Sequence, residues 1–280
     1  MVDIKYSQNF YTNKTNLQRL IKLSGINSND IVLDIGAGTG IITEELSKYA
    51  KKVIAYELEQ KYYKKLKDKF SDSPDVQLLN EDFLSTSLPK EDFKVFSNIP
   101  FSITADIISK ITSANSKLRE AFLFVQKESA ERFIGRPKNT QISAILSFMY
   151  DIRIIEEFRW EDFKPVPNVD IVLLNLKSKG YNKQDYQLYR DFITYVFNQI
   201  NSSVLDTFKK LFTYKQLKYI SKDIIVNSYF KPTDIPSDYY LHVFQKFKLN
   251  GNRYINRVKG YYLKHLEQHS KREKVHRTTV

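Results

Sequence analysis

The chain contains no cysteine. A disulfide framework and thiolate zinc sites are therefore excluded, and a reducing cytoplasmic setting is allowed. Histidine is scarce and late: His242, His265, His269 and His276 lie far from any carboxylate cluster. His265 and His269 share helical i, i+4 spacing, but no H-E-x-x-H surrounds them, so no metal site is expected. No apolar run approaches the roughly 20 residues of a membrane span. The opening M-V-D-I-K carries no apolar signal segment. The expectation is a cytoplasmic protein that neither crosses a membrane nor holds a metal.

Acidic residues are also in deficit. Asp and Glu number 32 against 44 Lys and Arg, a formal charge of +12. Such an excess points to a polyanionic partner, nucleic acid before an anionic membrane. Glycine occurs only 8 times in 280 residues, which makes Gly36, Gly38 and Gly40 a concentrated signal. They follow the apolar run Ile31-Val32-Leu33 and Asp34, in I-V-L-D-I-G-A-G-T-G. A β-branched run breaking into glycines reads as a buried parallel strand feeding a helix. The glycines allow a sharp turn and close backbone approach to a ligand.

Dinucleotide binders require G-x-G-x-x-G, whereas this stretch is G-x-G-x-G. The next strand, V-I-A-Y, ends in Glu57. An acidic residue roughly 20 residues past the glycines suits a ribose diol. Asp34 and Glu57 together would repel a phosphate, so a phosphate-free adenosine such as S-adenosylmethionine fits this edge. A third strand over 76–79 ends at N-E-D-F. There Asp82 can accept from an adenine amino group and Phe83 can pack on its face. An ordinary acidic loop is the alternative. A fourth strand, 93–96, runs into S-N-I-P-F. Gly36, Glu57, Asp82 and Asn98 thus all fall at strand carboxyl ends, where open α/β sheets bind ligands. Four placements on one edge argue against a turn-only role for the glycines.

Helices are expected at 13–24, 40–49, 60–70, 105–112, 127–134 and 140–150. Further strands are expected at 121–125, 152–158 and 169–176, with a loop at 160–167. This alternation predicts an α/β doubly wound parallel sheet finished by antiparallel strands. From 181 to 262 the spacing of Phe192, Val196, Phe197, Phe208, Leu211 and Phe212 is helical, which predicts a small helical domain. The polar, basic stretch 263–280 reads as a disordered tail.

Asn98 stands where chemistry is expected. The lone pair of adenine's amino group is delocalised into its ring. Acceptors for both amino hydrogens free that pair for attack, and the Asn98 side chain and the Ile99 carbonyl can supply them. Pro100 fixes the turn and Phe101 offers a stacking face. A turn of purely steric purpose is the alternative.

Seven pieces now stand together: S-Q-N-F (7–10), D-I-G-A-G-T-G (34–40), Glu57, E-D-F (81–83), N-I-P-F (98–101), Q-K-E (126–128) and F-K-P-V-P-N-V (163–169). Together they resemble the rRNA adenine dimethyltransferases, densely over 5–178 and only in type beyond. N-I-P-F followed by S-I-T-A-D-I resembles the Erm branch. That branch dimethylates an adenine in 23S rRNA and confers macrolide–lincosamide–streptogramin B resistance. The KsgA branch acts on small-subunit rRNA and usually carries N-L-P-Y.

The resemblance implies a Rossmann-like class I methyltransferase sheet over 1–178 and an RNA-binding helical domain over 181–262. It implies S-adenosylmethionine as methyl donor and 23S rRNA, unassembled or precursor, as partner of a monomer. Asn9 and Tyr11 would line the methionine end of the cofactor. Gly36 and Gly38 would approach its methionine backbone and ribose, Glu57 the ribose hydroxyls and Asp82 the adenine. Asn98, Ile99, Pro100 and Phe101 would hold the target base, with Phe163 stacking on its other face. Phe101 replaces the commoner tyrosine. Ile171 stands where the family usually has serine. Arg132, Arg136, Lys138, Lys209 and Lys210 are candidates for RNA phosphates, each with a solvated helix face as its alternative, as are Lys215 and Lys218. Two other readings stay open: a KsgA-like small-subunit methyltransferase and a non-catalytic RNA-binding protein of the same fold.

Overall fold

A computed structural model describes residues 9–199, 203–223, 230–250 and 254–268. The strands are β1 (Phe10–Tyr11), β2 (Ile31–Ile35), β3 (Lys52–Tyr56), β4 (Val76–Leu79), β5 (Phe93–Asn98), β6 (Leu118–Gln126), β7 (Tyr150–Glu157), β8 (Phe163–Lys164) and β9 (Ile171–Ser178). Seven of them form one sheet in the order β4-β3-β2-β5-β6-β9-β7. Strands β4 to β6 of that order run parallel, and β9 joins β6 antiparallel, pairing Gln126 with Ile171 and Glu120 with Lys177. The chain reverses order after β4 and crosses to β5, which creates a switch point beyond the carboxyl ends of β2 and β5.

The helices of the first half are α1 (Lys14–Leu23), α2 (Ile41–Leu46), α3 (Gln60–Lys69), α4 (Thr104–Ile111), α5 (Lys127–Ile134) and α6 (Gln141–Leu146). Asn13 caps α1 by accepting from the Asn16 amide at 3.0 Å, and Leu17, Leu20 and Ile21 form its buried stripe. These side chains meet Ile42 and Leu46 of α2 over an aromatic layer of Tyr11, Phe96, Phe122, Phe124 and Phe163. Phe124 stacks on Phe158 with centroids 4.8 Å apart. Burying such rings supplies most of the apolar stabilisation of this layer.

The loop expected at 160–167 contains β8, which pairs antiparallel with β1: Phe10 with Lys164 and Tyr11 with Phe163. Two residues per strand are too short for a periodic signal, so only the partner strand identifies them. Ile171 is buried in the core layer, an apolar packing role in place of a hydroxyl contact.

The chain divides into two compact units: residues 1–130 with 151–178, and residues 131–150 with 179–280. The break after Ser178 matches the expected one, but 131–150, expected in the first domain, groups with the helices. Within the second unit the helices are α7 (Lys183–Phe197), α8 (Val204–Lys209), α9 (Tyr214–Asp223), α10 (Ser237–Asn250) and α11 (Ile255–Val258). Tyr189 of α7 donates to the Ala144 carbonyl at 2.9 Å, and Asn139 donates to the Ile235 carbonyl at 2.9 Å. Tyr189, Phe192, Phe208, Tyr240, Phe244 and Phe247 are its buried centre. The stretch expected to be a disordered tail begins as helix, since 261–268 is helical, and 269–280 lies outside the described residues.

Candidate active site

Gly36, Gly38 and Gly40 all have positive φ, at 78°, 55° and 77°. The loop is tied to the next strand: the amides of Gly36 and Ala37 both donate to the Tyr56 carbonyl, at 2.8 and 2.9 Å. Two of these positions also exclude a side chain sterically, against different neighbours. A Cβ on Gly38 would lie 2.5 Å from the Phe10 ring, and one on Gly40 would lie 2.5 Å from Leu66.

Glu57 is the hub of this edge. Its carboxylate accepts from the Gly38 amide at 2.7 Å and from the Glu59 amide at 2.8 Å. Burial raises its pKa, while the backbone donors oppose that rise. Asn80, at the end of β4, donates to the Glu57 carbonyl at 2.8 Å and to the Leu58 carbonyl at 3.2 Å. Asn80 is a supporting residue that sequence reading missed; its only signal was its place beside Asp82 at a strand end. Asp34 is fully buried. Its Oδ2 accepts from the Thr43 hydroxyl at 2.6 Å, while Oδ1 has no partner among the described residues. Desolvation pushes its pKa up to about 7, against the Thr43 hydrogen bond.

Asp82 is exposed and caps a short 3-10 turn over Phe83–Ser85, accepting from the Leu84 amide at 2.9 Å. Phe83 departs from expectation. Its ring is buried, packed edge-on against Tyr56 at 5.1 Å and covered by the Lys110 ammonium at 4.6 Å. It shapes the loop rather than offering a free face to an adenine. Lys110 of α4 also donates to the carbonyls of Phe83 and Thr86. Nothing in the sequence singled it out, because a lone helical lysine normally reads as a solvated one.

Asn98 ends β5 and is half-buried. Its amide nitrogen donates to the backbone carbonyl of Asn9 at 2.6 Å. Asn9 in turn donates from its side chain to the Pro165 carbonyl at 2.7 Å. The pieces 9–10, 98–101 and 163–165, far apart in sequence, are therefore one hydrogen-bonded assembly. Ile99 is buried. Pro100 lies against Gly36, its Cδ 3.4 Å from where a Cβ would stand, so the glycine loop and the N-I-P-F turn touch. Phe101 is half-buried beside the core. Ser7 and Gln8 lie outside the described residues.

Two expected contacts are corrected. Tyr11 is 1% exposed, and its hydroxyl accepts from Asn16 at 3.0 Å. Its ring lies 5.2 Å from Phe163, which is also 1% exposed. Both are core residues. Neither shows a face to a cofactor or base, because both rings pack into the core layer against Phe124 and Phe158. The basic candidates Arg132, Arg136, Lys138, Lys209 and Lys210 all fall in the second unit. Lys138 pairs with Asp234 at 2.8 Å and Lys209 with Asp206 at 3.0 Å. Lys210 reaches Gln199 at 3.4 Å. Such exposed pairs contribute little to stability.

The acceptor set at this edge fits S-adenosylmethionine. Glu57 and Asp82 make no ion pair among the described residues, and each retains lone pairs for hydroxyl or amino donors. The close-approach glycines and the switch point complete a class I S-adenosylmethionine-dependent methyltransferase. The solved 23S rRNA methyltransferase ErmE shares this fold, with a TM-score of 0.78 over 86% of this chain and 100% of that one, at 21% identity. The family model described as ribosomal RNA adenine dimethylase matches residues 2–248, and the chain belongs to that family. It is similar to the "rRNA adenine N-6-methyltransferase" of Limosilactobacillus reuteri, 31% identical over 88% of this chain and 97% of that one. It is also similar to the "Ribosomal RNA small subunit methyltransferase A" of Thermotoga petrophila, 35% identical over 64% of this chain and 69% of that one. The protein is an rRNA adenine N6-methyltransferase that uses S-adenosylmethionine, and no helix among the described residues is long and apolar enough to cross a membrane.

Proposed function

We propose that this enzyme dimethylates N6 of one adenine in 23S rRNA, in the cytoplasm and as a monomer, and so confers macrolide–lincosamide–streptogramin B resistance. The observation that carries the chemistry is the Asn98 to Asn9 hydrogen bond. With its nitrogen committed to the Asn9 carbonyl, the Asn98 side chain presents its oxygen as an acceptor. That oxygen and the Ile99 carbonyl each take one hydrogen of the target amino group, which turns its lone pair out of conjugation. When bound, S-adenosylmethionine supplies a methyl group on a sulfonium sulfur, which keeps the bonding pair as the carbon–nitrogen bond forms. Neither oxygen is basic enough to hold the proton that N6 sheds, so the proton passes to water. Phe101 stacks the base, which leaves its helix to reach this turn. Glu57 holds the ribose hydroxyls and Asp82 the cofactor adenine, with Gly36 and Gly38 close against the cofactor.

The choice of 23S rRNA is supported by N-I-P-F with S-I-T-A-D-I after it. It is also supported by the extent of similarity: the L. reuteri relative aligns over 250 residues, against 183 and 218 for two small-subunit enzymes. A small-subunit target is the second reading, supported by the higher identity of the 183-residue match. The test is incubation with labelled S-adenosylmethionine and separate 23S and 16S transcripts, followed by mapping of the methylated base. Label confined to 16S overturns the 23S reading. Asn98→Ala should lower the single-turnover rate about 100- to 1,000-fold, the usual effect of losing one preorganised polar contact, with cofactor affinity retained.

A further inference from the structure

Aromatic residues are abundant in this chain, and among the described residues nearly all are buried or half-buried. In the helical unit Tyr186, Tyr189, Tyr195, Tyr239 and Tyr240 are buried. Among the described side chains only three aromatic rings are exposed: Trp160 at 60%, Tyr219 at 71% and Tyr214 at 83%. The two most exposed share α9.

The helix holds them in place. Thr213 and Gln216 form a reciprocal N-terminal cap: the Thr213 amide donates to Gln216 Oε1 at 2.7 Å, and the Gln216 amide donates to Thr213 Oγ1 at 3.4 Å. Ile220 is buried and Leu217 half-buried, and they anchor one side. At about 100° per residue, Tyr214, Lys218, Lys215 and Tyr219 fall at about 0°, 40°, 100° and 140°. All four lie on the arc opposite that anchor, and all four are exposed. Along the axis the two rings are about 7.5 Å apart, so they address separate bases. Two exposed rings flanking two lysines on one face match a single-stranded nucleic-acid surface, in which rings stack bases and cations track phosphates. Exposing two rings has no folding benefit.

We propose that the outer face of α9 binds an unpaired stretch of the substrate RNA, with Tyr214 and Tyr219 as stacking platforms and Lys215 and Lys218 on the flanking phosphates. This rests on rRNA being the substrate.

The test uses the full chain and two fluorescently labelled probes: a 23S fragment carrying the target helix with its unpaired loops, and a fully paired duplex of equal length. Tyr214→Ala with Tyr219→Ala should weaken binding to the looped fragment at least about fivefold per ring, while duplex affinity and the thermal midpoint stay unchanged. Tyr214→Phe with Tyr219→Phe should bind as the parent does. Lys215→Gln with Lys218→Gln should reduce the slope of log Kd against log salt by about 0.7 per lysine, which the alanine pair should not. Unchanged affinity of the alanine pair for the looped fragment overturns the proposal and leaves a protein partner for this face. Equal weakening on both probes overturns it too, because stacking needs unpaired bases. If the parent protein methylates neither the 23S nor the 16S transcript, the underlying substrate reading fails, an outcome distinct from either.

Discussion

The side-chain amide of Asn98 donates to the backbone carbonyl of Asn9 at 2.6 Å. That one bond commits the nitrogen of the Asn98 amide and leaves its oxygen as the acceptor end. Asn9 is itself pinned, through its side chain, to the Pro165 carbonyl at 2.7 Å. Asn9→Ala removes the pin but keeps the carbonyl. We expect kcat to fall about fivefold, the effect of one hydrogen bond worth about 1 kcal/mol, with KM for S-adenosylmethionine unchanged. Single-turnover rates at saturating RNA and a cofactor titration check this. A raised KM with parental kcat would instead make Asn9 part of the cofactor lining.

Two glycines with left-handed φ separate strain from steric exclusion. Gly25 has φ +64° and open space around its missing Cβ, whereas Gly38 has φ +55° and Phe10 at 2.5 Å. Gly25→Ala should cost about 1–2 kcal/mol of stability through the backbone alone and leave cofactor affinity intact. Gly38→Ala should cost at least as much and also weaken S-adenosylmethionine binding, because Phe10 must move. Urea denaturation with calorimetric titration distinguishes them; equal cofactor affinity in both variants contradicts the close-approach role.

Lys110 links α4, the helix after the N-I-P-F turn, to the loop that carries Asp82. Burial lowers its pKa. Lys110→Met keeps the aliphatic stem but leaves the Phe83 and Thr86 carbonyls without their donor. Each unsatisfied group costs about 1–3 kcal/mol when buried, less where water reaches it. KM for S-adenosylmethionine should rise several-fold while kcat at saturating cofactor changes little, and Lys110→Arg should restore part of the loss. A Met variant with parental KM would reduce Lys110 to a surface contact.

Asp34 makes stability depend on pH. Its folded pKa of about 7 lies above its ordinary 3.8, chiefly through desolvation, with the Glu57 charge adding to the rise. Between those values the folded protein holds a proton that the unfolded chain has lost, so the contribution of this group falls as pH rises. The slope reaches about 1.4 kcal/mol per pH unit for one proton. Asp34→Asn keeps an acceptor for Thr43 and removes the titration. Denaturation midpoints of the parent should therefore drop more between pH 5 and pH 7 than those of the variant. Parallel curves would show that Asp34 is already ionised throughout that window.

The sequence by itself determined the sheet and which residues stand at the ends of its strands. Gly36, Glu57, Asp82 and Asn98 were legible because each ends an apolar run, and strand ends and glycine turns are local properties of the chain. That 131–150 groups with the later helices was not legible, because helix periodicity names an element but not the body it packs against. Tertiary structure alone decided which site residues face outward. Phe83 and Phe163 read as stacking rings and Tyr11 as cofactor lining, but an aromatic side chain looks the same in sequence whether it covers a ligand or a core. Contacts distant in sequence bury them: Tyr56 and Lys110 on Phe83, and Phe124 and Phe158 on Tyr11 and Phe163. The orientation of Asn98 belongs to the same class. It depends on a carbonyl 89 residues away in the chain, and no local pattern encodes a hydrogen bond of that reach.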